Sequence, residues 1–302
     1  MFFSVIIPCF NRASFLPDLL KKLDLQTFQD FEIVLVDDGS TDGTGDYIQS
    51  LHHPKLVYVY QKNAERSVAR NNGILHSTGQ YLLFLDSDDT LDQEALFHLH
   101  QTILLAGCPV AVFGTKNIYL INGQTFSHEQ FVLHTGRTSY HILSEFGTIP
   151  VSQCAHRTCF ENNLFDARFT LWEDTHLWLR ILRQFPCYGV ENAHILVNIH
   201  EESSVSKGLK DVNIKDVHRY RDAVLDLLSY THVFPSLEFN PLIKEYIFAK
   251  YQMYIYQARI NRQYGLANRL LRESSQYGNK NIYFYTTLFK LFLGRFLRIE
   301  IK

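Results

Sequence analysis

Four short apolar runs punctuate the first third of the chain: Ser4-Val-Ile-Ile-Pro8, Glu32-Ile-Val-Leu-Val36, Leu56-Val-Tyr-Val-Tyr60 and Tyr81-Leu-Leu-Phe-Leu85. Each is rich in β-branched or large apolar residues and bounded by turn residues, the pattern of a buried strand. Between them the apolar spacing changes to that of a helix. Phe15, Leu19, Leu20 and Leu23 share one face, Gly43–Leu51 follows a cap-like Asp42, and Ser67–His76 forms a third segment. Strands alternating with helices predict parallel strands joined by right-handed crossovers, hence an α/β layer. In open sheets of this kind a ligand sits beyond the carboxyl ends of the strands, so the residues just after each strand carry the functional interest.

Asp92 is placed to cap a helix running to Leu105, Val110-Ala-Val-Phe113 predicts a further strand, and Asn122-Gly123 predicts a hairpin turn. From about Asp211 the pattern is almost wholly helical, with long stretches at Leu242–Arg262 and Leu266–Tyr277. A boundary near Lys207-Gly208 is expected. It divides a main domain, 1–207, from a helical region, 208–302, and within the main domain about 1–110 forms one half and about 111–207 the other.

Composition adds little to this picture: 302 residues, 46% hydrophobic and 20% charged, describe an ordinary globular chain with a sizeable core. Cys9, Cys108, Cys154, Cys159 and Cys187 are an odd set without CxxC spacing, which argues for reduced thiols over disulfides or structural zinc. Met1 leads straight into an apolar run without a basic segment or cleavage site, so a secretory signal is not expected and the cytoplasm is. Net charge is only −2, yet Ile243–Lys302 holds eleven Lys or Arg against three Glu. Such asymmetry points to an anionic surface as a partner. No nucleic-acid partner is expected.

Candidate chemistry clusters at two strand ends. Asp37-Asp38-Gly39-Ser40-Thr41-Asp42 follows the second strand and Asp86-Ser87-Asp88-Asp89 follows the fourth. One acidic turn alone is often a helix cap. Two at equivalent ends would face one crevice, where carboxylates suit Mg²⁺ or Mn²⁺ together with substrate phosphates.

These segments, with Ser4–Arg12, Ala69-Arg-Asn-Asn-Gly-Ile74 and Trp172-Glu-Asp-Thr-His-Leu-Trp-Leu-Arg180, resemble in order the motifs of family 2 glycosyltransferases. The resemblance spans about the first two-thirds of the chain. It implies the GT-A fold, a Rossmann-like, mostly parallel sheet flanked by helices, here with a C-terminal helical appendage. It also implies a nucleotide-sugar donor, a UDP-sugar in particular. Pro8, Phe10 and Asn11 would border base and ribose, Asp38 would accept an N–H of the base, and Arg66 and Arg70 would supply positive charge, with pairing to a structural carboxylate as the other role for Arg70. Asp86-Ser87-Asp88 matches the family's DxD motif, in which Asp88 holds the metal while Asp86 approaches the ribose or a metal-bound water. His200 resembles the distal histidine that completes metal coordination in some members. Asp174 would be the general base, supported by Glu173, in a single displacement that inverts the anomeric centre. The family's processive members carry Gln-x-x-Arg-Trp after this region, and its absence implies one sugar per encounter.

Three alternatives remain at this level. Asp86 and Asp88 also fit the first motif of haloacid-dehalogenase-like phosphatases, but the downstream Gly-Asp pair is missing. A sugar nucleotidyltransferase would need a Gly-rich first loop in place of Pro8-Cys-Phe-Asn-Arg12, and a non-catalytic nucleotide-sugar binder would not need Asp86, Asp88 and Asp174. The acceptor is expected to be a saccharide or lipid-linked saccharide of surface-polysaccharide assembly. Consistent with this, Tyr285, Leu288, Phe289, Phe292, Phe296 and Ile299 form an apolar stripe with Lys290, Arg295, Arg298 and Lys302 off it. That is the pattern of a helix lying on an anionic membrane at the inner face of the cell, or packing on its own core or a second subunit.

Overall fold

The computed structural model describes residues 1–121, 124–130, 133–200 and 212–278. It contains one nine-stranded sheet with strands β1 (Phe3–Cys9), β2 (Phe31–Asp37), β3 (Leu56–Tyr60), β4 (Tyr81–Phe84), β5 (Thr90–Leu91), β6 (Val112–Ile121), β7 (Gln124–Gln130), β8 (Cys154–His156) and β9 (Cys187–Ile199). Their order is β3-β2-β1-β4-β8-β6-β9-β5, with β7 on β6. The first four are mutually parallel, as the alternation predicts, and β8 enters antiparallel between β4 and β6. The second half is mixed, since β6 and β9 run parallel while β5 and β7 pair antiparallel.

β1, β2 and β4 are buried on both faces, which explains their unbroken apolar runs. Val5 and Ile7 face α1 (Leu16–Asp24) and α4 (Ala95–Ala106), meeting Leu16, Leu19, Leu23, Leu96 and Leu99. Each such buried side chain stabilises the fold by roughly 1.5–3 kcal/mol. Ile6 points to the opposite face and meets α3 (Glu65–His76) at Gly73, where a Cβ would sit 2.3 Å from Ile6 Cγ2. Only glycine lets this helix lie so close to β1.

Three expectations are corrected. Leu56–Tyr60 is a strand but not a buried one: β3 is the sheet edge and only half-buried, which its alternating tyrosines accommodate. The α4 helix begins at Ala95, because Asp92 Oδ1 accepts from Glu94 N one step before the helix instead of capping it. The strand expected at Val110–Phe113 begins only at Val112 and runs as β6 to Ile121. Ile121 pairs antiparallel with Gln124, and the Asn122-Gly123 turn itself lies outside the described residues.

At the N-terminal edge of the sheet, Glu32 is buried and accepts from Ser4 Oγ (2.6 Å), Thr78 N, Thr78 Oγ1 (2.9 Å) and Gly79 N (3.2 Å). Burial opposes its charge, but these donors prevail and hold its pKa below the usual carboxylate value. All five cysteines are free, and burial pushes the Cys9, Cys159 and Cys187 thiols up to about 12.

The chain divides into two compact units, one of residues 1–139 and 148–200, the other of 140–147 and 201–302. The expected boundary at 207/208 lies outside the described residues, and residues 140–147, within the expected main domain, belong to the second unit. The second unit contains helices α7 (Ile214–Asp226), α8 (Ser236–Ile260) and α9 (Tyr264–Ser274), with Phe234, Phe239, Tyr246 and Tyr251 buried among them. Within it Tyr246 OH donates to the Gly147 carbonyl at 2.6 Å. No described helix is long and apolar enough to cross a membrane. The apolar stripe at Tyr285–Ile299 lies outside the described residues.

Candidate active site

The carboxyl ends of β1, β2 and β4 open at one edge, and the loops that follow are tied together by short polar side chains. Asn11, at φ 52°, takes the left-handed backbone that Asn tolerates well. Its Oδ1 accepts from Thr41 N (2.8 Å) and its N–H donates to Ser40 Oγ (2.9 Å), locking the β1 loop to the β2 loop. Asp42 adds a bond from Ala13 N at 3.0 Å. Phe10 lies 46% exposed on this rim beside half-buried Pro8. Asp37 is structural: Ser40 N (2.8 Å) and Tyr58 OH (2.9 Å) occupy its two oxygens. Asp38 is 4% exposed and takes both of its bonds on Oδ1, from Gln61 Nε2 (2.7 Å) and Ala64 N (2.8 Å). Gln61 is fixed in turn by Asn72 Nδ2 at 3.0 Å.

After β4 the chain places four side chains in different settings. Asp86 Oδ1 accepts from Arg70 Nη2 at 2.9 Å, and Ser87 is buried. Asp88 Oδ2 lies 3.1 Å from His200 Nε2 and 3.8 Å from Arg12 Nη2. Asp89 is buried, accepts from Asn198 N at 3.1 Å, and is pushed well above the usual carboxylate pKa by burial and by the charges of Asp86 and Asp88. Asn198 also donates from Nδ2 to the Asp88 carbonyl at 2.6 Å, so the end of β9 is stitched to this turn and delivers His200.

Among the described residues no three His, Cys, Asp or Glu side chains are placed to hold a metal ion. The pair Asp88 and His200 nevertheless fits Mg²⁺ or Mn²⁺, which bind through one or two protein side chains and leave the other positions to substrate phosphates and water. By donor type it is the Asp88 carboxylate that suits Mg²⁺ or Mn²⁺.

A second acidic group comes from α6 (Glu173–Leu182). It begins after Trp172, whose φ of 67° is a strained backbone for a bulky residue, costing on the order of 1–3 kcal/mol. Glu173 is buried and its Oε1 meets Arg70 Nη1 at 2.9 Å and Arg66 Nε at 3.8 Å. Asp174 is half-buried. Burial and then the Glu173 charge raise its pKa to about 7, with Asp86 adding to the rise and the Thr175 N–H (2.6 Å) and Arg70 opposing it.

Of the residues expected from the sequence, Asp86, Glu173 and Arg70 therefore form one ion-paired group, buried at Arg70 and Glu173 and part-exposed at Asp86, with Asp174 adjoining it, and Asp88 and His200 form a pair. Arg70 adopts the carboxylate-paired arrangement, and Arg66 remains half-exposed. Gln61, Asn198, Arg12 and Asp89 were not assigned from the sequence. Asp89 had a local signal in its place in the acidic run, and Arg12 one in its place at the end of the Ser4–Arg12 motif.

Comparison with known proteins is consistent with this arrangement. The sequence model of Glycosyl transferase family 2 matches residues 4–163. An uncharacterized glycosyltransferase of Rickettsia felis is 26% identical over 249 residues, covering 79% of this chain and 38% of that protein. The chain thus spans well under half of that relative. A Campylobacter jejuni protein named GalNAc(5)-diNAcBac-PP-undecaprenol beta-1,3-glucosyltransferase is 24% identical over 281 residues, 90% of this chain and 87% of that one. In three dimensions, S. aureus TarS 1–349 in complex with UDP-GlcNAc superposes with a TM-score of 0.64 at 18% identity, covering 100% of this chain and 95% of the other. The mannosyltransferase PcManGT from Pyrobaculum calidifontis, in complex with GDP-Man and Mn²⁺, gives 0.60 at 15% identity, covering 97% and 80%. These structural likenesses bear on the fold. Motifs, topology and family match together establish that the chain belongs to glycosyl transferase family 2 and has the GT-A fold.

Proposed function

We propose that this chain is a metal-dependent, inverting glycosyltransferase that moves one sugar from a UDP-sugar to a hydroxyl of a saccharide or lipid-linked saccharide. The observation that carries this reading is the meeting of two acidic groups at the open edge of the sheet. Asp88 stands beside His200, and Asp174 adjoins the Asp86–Arg70–Glu173 group.

On the donor side Phe10, with Pro8 and Asn11, borders base and ribose, and Asp38 accepts an N–H of the base through Oδ2, since Oδ1 is already engaged. Arg66 extends a cation toward the nucleotide, and Asp86 and Ser87 lie by the ribose. Asp88 and His200 would hold Mn²⁺ or Mg²⁺, and a divalent ion there neutralises the negative charge that develops on the departing nucleoside diphosphate.

On the acceptor side Asp174 takes the hydroxyl proton as the acceptor oxygen bonds to the anomeric carbon and the bond to the diphosphate oxygen breaks. A base poised near neutrality is suited to that transfer. An α-linked donor then yields a β-linked product. The lipid-linked acceptor class is supported by the name of the Campylobacter relative, and donor choice by the nucleotide sugars in the two structural neighbours. Membership of family 2 displaces the phosphatase and nucleotidyltransferase alternatives. We place the work at the inner face of the cell membrane, with the main domain ending near 207.

The test is UDP release from UDP-sugars with Mn²⁺, with and without saccharide acceptors. Acceptor-dependent release supports the proposal. Tight UDP-sugar binding without release would instead favour a non-catalytic binder.

A further inference from the structure

One face of α3 serves a purpose that the donor and acceptor roles above leave open. Ser67, Arg70 and Asn71 lie at i, i+3 and i+4 and so share one face of that helix. All three hold the segment that leads into α6. Asn71 Nδ2 donates to the Phe165 carbonyl (2.8 Å) while its Oδ1 accepts from Phe165 N (2.9 Å). Ser67 Oγ donates to the Phe169 carbonyl at 3.3 Å. Arg70, 2% exposed with the Phe165 ring 5.3 Å from its Cζ, reaches Glu173 through Nη1 and Asp86 through Nη2, both at 2.9 Å. An adjoining face of α3 is fixed to β1 by the contact at Gly73. Two carboxylates from segments 87 residues apart in sequence would repel each other without that guanidinium, and its planar fork is what allows both to be held at once.

We propose that Arg70 is a positioning residue for sugar transfer, bridging Asp86 on the donor side to Glu173 on the acceptor side and thereby fixing Asp174 against the bound donor. It is not a ligand of the nucleotide. This inference rests on the transferase reading above.

The experiment compares full-length wild type with R70K and E173Q, measuring kcat and KM for donor and acceptor together with UDP affinity by calorimetry. A lysine can reach one carboxylate but not both. Expected for R70K is a fall in kcat of about 10-fold or more, with UDP affinity within about threefold of wild type. The double variant R70K/E173Q should be little worse than R70K. The acid limb of kcat against pH should also move to higher pH in R70K if the lysine withdraws its charge from Asp174, whose other facing groups are Glu173, Asp86 and the Thr175 N–H. Loss of UDP affinity at unchanged kcat would make Arg70 a nucleotide ligand and overturn the proposal. Should R70K fail to fold, E173Q decides alone: wild-type kcat in that variant overturns the proposal, and a loss confined to kcat supports it. A wild type without acceptor-dependent turnover would overturn the underlying transferase reading instead.

Discussion

Two carboxylates of the same sheet domain, Glu32 and Asp174, both lose hydration to the protein around them, and yet their pKa values move in opposite directions. Glu32, at the N-terminal edge, is surrounded by the donors of Ser4, Thr78 and Gly79, and its pKa is lowered. Asp174, at the start of α6, has one backbone donor and two carboxylates near it, and its pKa rises to about 7. Burial penalises both charges, so the neighbours decide the sign. A carboxylate saturated with donors braces the fold, whereas one crowded by like charges is kept ready to take a proton.

Exchanging the roles experimentally should give opposite phenotypes. The largest expected effect is at Asp174→Asn: turnover falls by about 10²-fold or more while donor binding persists, as when a positioned general base is lost. Near-normal turnover would move the base to Glu173. Next, Asp88→Ala should abolish the part of UDP affinity that depends on Mn²⁺, read by calorimetry with and without the ion, and unchanged affinity would remove Asp88 from the metal site. Glu32→Gln should do the reverse of Asp174→Asn, costing about 1–3 kcal/mol of stability in denaturant unfolding with kcat per folded molecule unchanged. A drop in kcat at full stability would erase the contrast.

A smaller effect should appear in the pH dependence of stability. Because the folded-state pKa of Asp174 is raised, its favourable contribution to stability is complete below its ordinary value of 3.8 and is lost as pH rises through about 7. Asp174→Asn should therefore unfold at a higher temperature than wild type at pH 8, by a few degrees, with the gap closing toward pH 4. A gap independent of pH would show that Asp174 is not raised.

Much of the donor half was legible in the sequence because β1, β2 and β4 are buried on both faces and read as continuous apolar runs. β3 looks the same in sequence, yet it is an edge, since strand order is not written locally. β9, the long partner of β6, escaped notice because Glu191, Asn192 and His194 interrupt its apolar residues. The acidic turns after β2 and β4 were visible as motifs. Their settings were not: Arg70 meets Glu173 across 103 residues, and of two neighbouring carboxylates Asp88 faces His200 and Arg12 while Asp89 is buried and accepts from Asn198 N. The C-terminal stripe remains a statement about sequence alone. Liposome co-sedimentation of the full chain and of a version ending near Asn279 should show salt-sensitive binding to anionic vesicles for the longer form only. Equal partitioning of both would assign the tail to packing.

If burial, with the Glu173 and Asp86 charges beside it, raises the pKa of Asp174 to about 7 and makes it the acceptor's base, the pH dependence of kcat/KM for acceptor, at saturating UDP-sugar, will carry its titration. The wild-type rate should fall tenfold per pH unit on the acid side of about pH 7, with that limb absent from the residual rate of Asp174→Asn. A wild-type profile flat from pH 5 to pH 8, or an unchanged limb in the variant, would contradict it.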